Sequence, residues 1–327
     1  MLSHGGGGDE MQYLINDIIF EVFDNEILKQ SNDSAILNLS NSKLAFTTDS
    51  FVVTPRFFNG GNIGKIAVCG TINDLLMVGA KPLFLSCGLI IEEGFDIDEL
   101  KEILKTMKKN ADLAGVKIVC GDTKVVPKNK CDGIFINTSG IGEILQTCEI
   151  KNLEVGAKIL LSGDIGRHGA VILALRDELA LQSDLKSDCK NLNDEVLEIL
   201  NSNLKPLCMR DATRGGLSAV LNEWAKFGGF EIDVFEEKIK VSKEVQGVCE
   251  LLGFEPFELA NEGSFVLAVK EDEANKILKI LQKFNKNANI IGEIIAKKED
   301  GFVTITNEYG SKRFLESPKG ELLPRIC

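Results

Sequence analysis

Apolar side chains recur along this chain with the period of a helix in some segments and in short unbroken runs in others. Residues 11–23 have helical spacing and predict an amphipathic helix behind a glycine-rich arm at residues 1–10. Asn62 predicts the N-cap of a helix that runs to about Val78 and ends at Gly79, and a further helix is predicted at residues 98–114. Predicted strands occupy residues 35–39, 43–53, 83–91, 116–120 and 133–144.

Beyond a turn at residues 152–156, the second half shows the same alternation of strands and helices. Two glycine-rich turns, residues 163–169 and 210–216, each precede a helix, and two more helices are predicted at residues 241–252 and 271–284. Strands are predicted at residues 158–161, 230–234, 265–269, 290–294 and 302–305. The pattern indicates an α/β or α+β fold in two domains, residues 1–150 and 151–315.

The last segment, residues 316–327, contains helix-breaking residues at Pro318, Gly320 and Pro324. We expect it to be a flexible, extended tail outside both domains, and its terminal Cys327 not to be a packed core thiol. Such a thiol could reach another protein's site or return to its own. The alternative is a free cysteine without a role, although a purely solvated tail has no need of Arg325 and its apolar neighbours.

Composition excludes several classes of function. The 327 residues are 44% hydrophobic and carry a net charge of -12, which suits a soluble globular protein and disfavours nonspecific binding to nucleic acid. No apolar run is long enough to span a membrane, and no signal peptide is evident, so we expect a protein of the reducing cytosol. With two histidines and nine cysteines but no C-x-x-C spacing, the chain lacks the pattern of a zinc or iron–sulfur site.

The two glycine-rich turns are candidates for phosphate binding, because free backbone N–H groups and the positive end of a helix favour an anion. Each turn also carries a basic residue, Arg167 in one and Arg214 in the other. Taken singly, either turn is more often an ordinary tight connection between a strand and a helix.

Three aspartates, Asp49, Asp74 and Asp122, stand in small polar clusters beside apolar segments, as Mg²⁺ ligands in nucleotide sites do. The alternative for each is an ordinary turn or cap residue, and spacing alone does not show that the three converge. Asp74 is the least ordinary, because it lies in an otherwise apolar helix.

Glu262 follows apolar residues at an element boundary, where either a general base or a turn residue could stand. His168 lies among glycines, and a functional and a structural role are equally open for it.

Several motifs together resemble those of the HypE family of hydrogenase maturation proteins, which shares a superfamily with aminoimidazole ribonucleotide synthetase and selenophosphate synthetase. The resemblance covers nearly the whole chain, and the terminal Pro-Arg-Ile-Cys is its most specific marker. The motifs lie at His4 to Gly6 and at residues 47–53, 57–65, 70–75, 90–94, 121–126, 135–138, 210–216, 260–263 and 324–327.

The resemblance implies a two-domain PurM-like fold whose N-terminal domains pair in a homodimer, with ATP near the interface beneath the glycine-rich arm. It implies an ATP-dependent lyase that dehydrates an S-carbamoyl group on its own terminal cysteine to a thiocyanate, the source of a cyanide ligand of nickel–iron hydrogenase. The implied partners are a HypF-type carbamoyltransferase and an iron-carrying HypC–HypD-type scaffold complex.

The resemblance also implies roles for individual residues. Cys327 would carry the substrate group, Glu262 and His168 would handle protons, and Lys124 would face phosphate or the substrate amide. Asp49, Asp74 and Asp122 would hold Mg²⁺ and ATP. The remaining nucleotide-site residues would be Asp211, Arg214, Gly215 and Gly216.

The chain departs from the family pattern at three positions, where it has Asn62 for Asp, Ala212 for Pro and Arg167 for Asp. We expect Arg167 to favour the neutral form of the adjacent His168. Two other functions stay open: a non-catalytic carrier that only binds nucleotide, and another superfamily member such as a selenophosphate synthetase. The latter predicts a cysteine in or near the glycine-rich arm, but the first cysteine here is Cys69.

Overall fold

The computed structural model describes residues 35–38, 43–176, 184–319 and 325–327. The predicted helix at residues 11–23 and the glycine-rich arm lie outside the described residues. The other predicted helices and strands are present, most of them with ends within a few residues of the predicted ones. Within the described residues, no helix is both long enough and apolar enough to span a bilayer.

The N-terminal half is built on a five-stranded sheet in the order β1-β2-β7-β5-β6. Its strands are β1 (Ala35–Asn38), β2 (Lys43–Phe51), β5 (Ala80–Glu92), β6 (Lys117–Val126) and β7 (Ile134–Ile144). A short hairpin of β3 (Phe57–Phe58) and β4 (Gly61–Asn62) precedes helix α1 (Ile63–Met77), and helix α2 (Ile97–Leu113) connects β5 to β6.

Helix α1 lies between this sheet and α2, which is why its sequence is apolar on nearly every side. The side chain of Asn62 caps α1 by accepting a hydrogen bond from Lys65 N at 3.1 Å. A Cβ at Gly64 would stand 2.6 Å from the carbonyl oxygen of Ile103, so α2 could not pack as closely against any larger residue. The apolar sequence of α1 therefore reflects burial against two layers.

The C-terminal half is a seven-stranded sheet in the order β14-β13-β10-β12-β8-β11-β9. These strands are β8 (Lys158–Leu161), β9 (Cys208–Asp211), β10 (Phe230–Phe235), β11 (Phe265–Val269), β12 (Asn289–Lys297), β13 (Phe302–Thr306) and β14 (Lys312–Phe314). Its helices are α3 (Arg167–Arg176), α4 (Asn193–Asn201), α5 (Gly216–Gly228), α6 (Lys243–Leu252) and α7 (Glu271–Phe284). The sequence predictions missed β3, β4, β9, β14 and α4, which are short.

The two sheets share a hydrophobic core. One cluster of buried side chains runs from α1 to β11 and α7, and it includes Ile326 and Cys327 at the end of the chain. A second cluster surrounds Trp224 on the other face of the C-terminal sheet. The loops that carry the candidate site residues therefore meet where the two halves pack together.

Candidate functional site: the docked C-terminus

The C-terminal residues lie inside the protein, against the segment that follows β2. Val52 N donates to Cys327 O at 2.9 Å, and Thr54 N donates to Arg325 O at 3.2 Å. Ile326 is 3% exposed and Cys327 is 8% exposed. The expectation that the tail lies outside both domains, with an unpacked thiol, is therefore wrong for residues 325–327. An extended segment without helix can still form backbone hydrogen bonds with another extended segment, and its apolar side chains gain by burial.

Two arginines hold this segment in place. Arg325 Nε donates to Val52 O at 2.9 Å, and its Nη1 lies 2.5 Å from Asp132 Oδ2. Arg176, at the end of α3, donates to Thr54 O at 2.6 Å and also to the carbonyl oxygen of Arg325. The tail is thus bound by charge-assisted hydrogen bonds from both sides.

His168 makes a further hydrogen bond to the tail, at the carbonyl group of Ile326. Its Nε2 lies 2.8 Å from Ile326 O, and its Nδ1 lies 2.8 Å from Ser187 Oγ. A carbonyl oxygen only accepts, so we assign the proton to Nε2, and Nδ1 then accepts from the Ser187 hydroxyl. Burial is the largest influence on His168 and lowers its pKa, opposed by the contact with Ile326. The ring is therefore a neutral donor to the tail.

The thiol of Cys327 lies in a buried, charged environment. Burial raises its pKa to about 12, and the positive charge of Arg214 opposes that shift. The negative charges of Glu262, Asp49 and Asp211 reinforce it. The docked cysteine is therefore a neutral thiol at physiological pH.

Glu262 is 3% exposed and belongs to the same cluster. Burial raises its pKa well above the ordinary value, and Asp211, Asp188 and Asp49 add to the effect. Its Oε1 atom is buried without a hydrogen-bond partner. A buried, unpartnered carboxyl oxygen with a raised pKa, whose charge also influences the buried thiol, is the arrangement of a proton-transferring group.

The backbone around Glu262 is held by two residues that the sequence did not single out as functional. Asp188 accepts hydrogen bonds from Glu262 N at 3.2 Å and Gly263 N at 3.0 Å. Asn261 accepts from Gly166 N at 2.6 Å and donates to Ala212 O at 2.8 Å, which ties both glycine-rich turns to the Glu262 loop. Asn261 was visible in the motif at residues 260–263, whereas no local signal marked Asp188.

Arg214 is the cation of the site. Its pKa is raised, first by Cys327 and then by Asp49, Glu262 and Asp74. Asp49 and Asp74 come from the N-terminal half, whereas Glu262 comes from the C-terminal half. The guanidinium therefore lies among acidic groups from both halves, as a group that binds phosphate or a developing negative charge would.

Asp49 and Asp74 face the same side of α1. Asp49 Oδ2 lies 3.7 Å from the position of a Cβ on Gly70, one helical turn before Asp74, and Asp74 Oδ2 accepts from Thr47 Oγ1 at 2.9 Å. Burial raises the pKa of Asp49, while Arg214 and the N–H of Ser50 lower it. The structure thus brings together two of the three aspartates that the sequence proposed for Mg²⁺.

The third aspartate, Asp122, lies on the other face of the N-terminal sheet. It is in register with Gly88 of β5, which is in register with Asn137 of β7, whereas Asp49 is in register with Thr138. Adjacent residues of a strand point to opposite faces, so Asp122 and Asp49 are separated by the sheet. Within the described part of the chain, no three acidic, cysteine or histidine side chains form a metal-binding group.

Lys124 lies two residues after Asp122 on the same exposed strand. The two side chains form an ion pair at 2.9 Å and are each 69% exposed. The hydrogen bond from Lys124 is the main reason that the pKa of Asp122 is lowered. The structure therefore does not place Asp122 and Lys124 with the other predicted site residues of the same protomer.

The turn at residues 210–216 brings Asp211 and Arg214 to the site. Gly215 and Gly216 have φ values of 78° and 62°, in the left-handed region. A Cβ at Gly216 would stand 2.5 Å from Phe257 O. Asp211 ends β9, is 7% exposed and faces Phe265 across the sheet. The glycines thus let α5 begin directly beneath the Glu262 loop.

The three departures from the family pattern have local explanations. Asn62 caps α1 as an aspartate would, and it also donates to Thr106 Oγ1 at 3.1 Å. Ala212 N donates to Ser264 O at 3.1 Å, a bond that proline could not make. Arg167 pairs with Asp164 at 2.8 Å, so its charge is compensated locally. The cation that lowers the pKa of His168 is Arg176, which corrects the role expected for Arg167.

Comparison with known proteins agrees with this architecture. Residues 31–144 match the N-terminal domain, and residues 154–305 the C-terminal domain, of AIR synthase related proteins. Carbamoyl dehydratase HypE of Escherichia coli strain K12 is 44% identical over 335 residues, spanning 100% of this chain and 98% of that protein.

Two crystal structures are similar over nearly the whole fold. The structure of HypE in complex with ATP has a TM-score of 0.83 and 41% identity, covering 100% of this chain and 99% of that one. The HypE–HypF complex gives a TM-score of 0.87 and 44% identity, covering 93% of this chain and 99% of that one.

The chain therefore belongs to the AIR synthase related protein family, whose two domains correspond to its two sheets. Its full-length similarity to carbamoyl dehydratases further places it in the HypE family of hydrogenase maturation proteins. The resemblance in the sequence motifs and the PurM-like fold that it implied are confirmed.

Proposed function

We propose that this chain is an ATP-dependent carbamoyl dehydratase whose substrate is the S-carbamoyl group on its own Cys327. The observation that carries the proposal is the docked C-terminus, whose buried Cys327 thiol interacts electrostatically with the buried carboxyl group of Glu262 and with the guanidinium of Arg214. A carrier without catalytic function would need no buried, unpartnered carboxyl group that acts electrostatically on its cargo thiol. The similarity to carbamoyl dehydratases supports the same reaction.

The reaction removes one water from the carbamoyl group in two steps. The amide oxygen attacks the γ-phosphate of ATP, ADP leaves, and the nitrogen loses its first proton. The carbon–oxygen bond then breaks with phosphate as leaving group, the nitrogen loses its second proton, and a thiocyanate remains on the sulfur. Oxygen leaves as phosphate, a far better leaving group than oxide or hydroxide.

Glu262 is the residue that we propose takes a proton from the amide nitrogen. Its raised pKa makes the ionised carboxylate a stronger base than one in water, and its free Oε1 offers a place for an N–H donor. Arg214 would stabilise the negative charge on the activated oxygen and phosphate. His168 would hold the tail through Ile326 O, which replaces its expected role as a base.

ATP is the proposed co-substrate, and Mg²⁺ the proposed metal. Asp49 and Asp74 would hold the ion, because Mg²⁺ commonly takes one or two carboxylates and completes its shell with water and nucleotide phosphates. The burial of Asp49, which raises its pKa, would favour a nearby cation. When bound, Mg²⁺ neutralises charge on the phosphates; Asp211, Gly215 and Gly216 would complete the nucleotide site.

A homodimer would use the outer face of the N-terminal sheet. Phe46, Ile141 and Phe84 are in register across β2, β7 and β5 and are 41%, 38% and 45% exposed. The edge strand β6 is exposed along almost its whole length. Such a surface favours coverage by a second copy. Asp122 and Lys124 lie on this strand, and we propose that they enter the partner protomer's site.

The cycle requires the tail to leave its site for modification and then to return. A HypF-type carbamoyltransferase would add the carbamoyl group, and the complex of HypE with HypF supports this partner. An iron-carrying HypC–HypD-type scaffold complex would receive the cyano group. Such chemistry on a free thiol suits the reducing cytosol, and all nine cysteines, each within the described residues, are free thiols.

The test follows the mass of the C-terminal peptide. The protein is incubated with ATP, carbamoyl phosphate and a HypF-type carbamoyltransferase, then digested and weighed. We expect addition of a carbamoyl group at Cys327, followed by ATP-dependent loss of one water. A Cys327→Ala variant that is still modified, or a wild-type carbamoyl group that ATP does not dehydrate, would contradict the proposal.

A further inference from the structure

One short segment, Ser187 to Lys190, contacts both the tail-binding histidine and the loop of the candidate base. Ser187 Oγ lies 2.8 Å from His168 Nδ1, and Asp188 accepts from the backbone of Glu262 and Gly263. Lys190 N donates to Glu262 O at 3.2 Å, which closes a second connection to the same loop. The segment is therefore hydrogen-bonded to the histidine that holds the tail and to the backbone of the loop that carries Glu262.

The segment is itself fixed at both ends by the N-terminal half. Ser187 N donates to Asn59 O at 2.9 Å, in the hairpin before α1. Asn73 of α1 donates to Lys190 O at 3.1 Å and accepts from Leu192 N at 2.9 Å. These bonds connect the placement of the segment to α1, the helix that also carries Asp74.

Close packing leaves the segment little room to move. A Cβ at Gly263 would stand 1.9 Å from Asp188 O, and one at Gly60 would stand 2.9 Å from Ser187 O. Ser187 and Asp188 are each 7% exposed. A buried aspartate that accepts two backbone N–H groups fixes those groups more firmly than water would.

We propose that Ser187 and Asp188 are positioning residues, Ser187 for the ring of His168 against the tail and Asp188 for the backbone of Glu262. The segment then sets thiol and carboxyl group in one geometry whenever the tail is docked. The inference rests on the proposed dehydration, for which it supplies the alignment of the two groups. Neither residue touches the reacting atoms.

The charge of Asp188 provides a signature that a merely structural role would lack. Asp188 raises the pKa of Glu262, as do Asp211 from β9, Asp49 from β2 and Cys69 from α1. Arg214 and the docked Cys327 also face this group. Replacing Asp188 by asparagine removes one of these negative charges and should lower the pKa of Glu262.

The experiment compares Asp188→Asn, Ser187→Ala and the control Asp184→Asn, an exposed aspartate three residues before Ser187. Each protein is carbamoylated, and single-turnover dehydration is followed by peptide mass as a function of pH. In separate samples that have not been carbamoylated, alkylation of the free Cys327 thiol by iodoacetamide reports tail docking, and ATP affinity and melting temperature report folding. Wild-type protein in the same assay tests the proposed function separately.

For Asp188→Asn we expect dehydration to slow by about 10-fold to 100-fold, since small misplacements of reacting groups cost this much. The dehydration rate should rise with pH as the base ionises, and this rise should be missing in Glu262→Gln. In Asp188→Asn the rise should move to lower pH, with Cys327 alkylation unchanged. For Ser187→Ala we expect several-fold faster alkylation and an unshifted rise with pH. Asp184→Asn should match the wild type in each measurement.

Three results would overturn the inference while wild-type dehydration proceeds. One is an Asp188→Asn variant with the wild-type rate and pH profile. Another is an equal loss of ATP affinity, docking and rate in that variant, which would indicate a general structural role. The third is a Cys327 alkylation rate in Ser187→Ala equal to that of the wild type. This third test can be read even if Asp188→Asn does not fold. If wild-type protein fails to dehydrate the carbamoyl group, the proposed function itself fails.

Discussion

The Nε2 atom of His168 lies 2.8 Å from the carbonyl oxygen of Ile326, the residue before the terminal cysteine. The ring therefore donates its only proton to the tail, and its other nitrogen accepts from Ser187. A histidine used in this way cannot at the same time collect a proton from the substrate. Its role is therefore to hold the docked tail.

Replacing His168 by alanine should release the tail without removing the base. Loss of one buried hydrogen bond, worth about 1–2 kcal/mol, should speed alkylation of Cys327 by roughly 5-fold to 30-fold. His168→Gln, which keeps an N–H donor, is the matched control and should show a smaller effect. Abolished dehydration in His168→Gln, with unchanged alkylation, would instead assign proton transfer to His168.

Arg325, which is part of the tail, should also contribute to docking. Arg325→Ala loses the bonds to Val52 O and Asp132, and we expect Cys327 alkylation to rise by about 10-fold. Arg325→Lys keeps the charge for Asp132 but not the planar group that reaches Val52. Its rate of Cys327 alkylation should therefore fall between those of the wild type and Arg325→Ala. If Cys327 in Arg325→Ala were alkylated at the wild-type rate, these bonds would not be what holds the tail.

Glu262→Gln should accept the carbamoyl group but dehydrate it slowly. The amide cannot take a proton, and loss of general-base catalysis commonly costs about 10²-fold to 10⁴-fold. Single-turnover peptide masses separate the two steps, and carbamoylation serves as the internal control. Normal turnover in this variant would remove Glu262 from the proton path.

Docking of the tail should weaken at high pH. Burial raises the pKa of Cys327 from 9.0 to about 12, so the docked state retains a proton that the free tail loses. Stability of docking is thus complete below pH 9 and declines as the pH rises toward 12. Release of C-terminal residues by a carboxypeptidase measures docking, and Cys327→Ser, which does not titrate, is the control. A constant ratio of the two rates between pH 7 and pH 10 would contradict the expectation.

Lys124 should act across the dimer interface. Lys124→Ala and Glu262→Gln homodimers should both be slow, whereas a mixed dimer contains one site with both wild-type residues. After subunit exchange we expect recovery of about a quarter of wild-type activity. Without recovery in verified mixed dimers, Lys124 would have to act within its own protomer.

The sequence by itself determined the order and type of most elements. Asn62 predicted the start of α1, and the fully apolar run of β11 predicted a buried strand, because capping and burial leave local patterns. The motifs of the Glu262 and Arg214 loops and the terminal cysteine also identified the family. Each of these signals is contained within a short stretch of the chain.

Only the tertiary structure decided which of these residues meet. A strand pattern does not reveal that the sheet separates Asp122 from Asp49, because that depends on register across β5, β6 and β7. The helix-breaking residues likewise suggested a free tail, whereas backbone bonds to Val52 and Thr54 and the burial of Ile326 and Cys327 hold it inside. Long-range contacts between distant segments are made by the folded chain as a whole, so no local pattern records them.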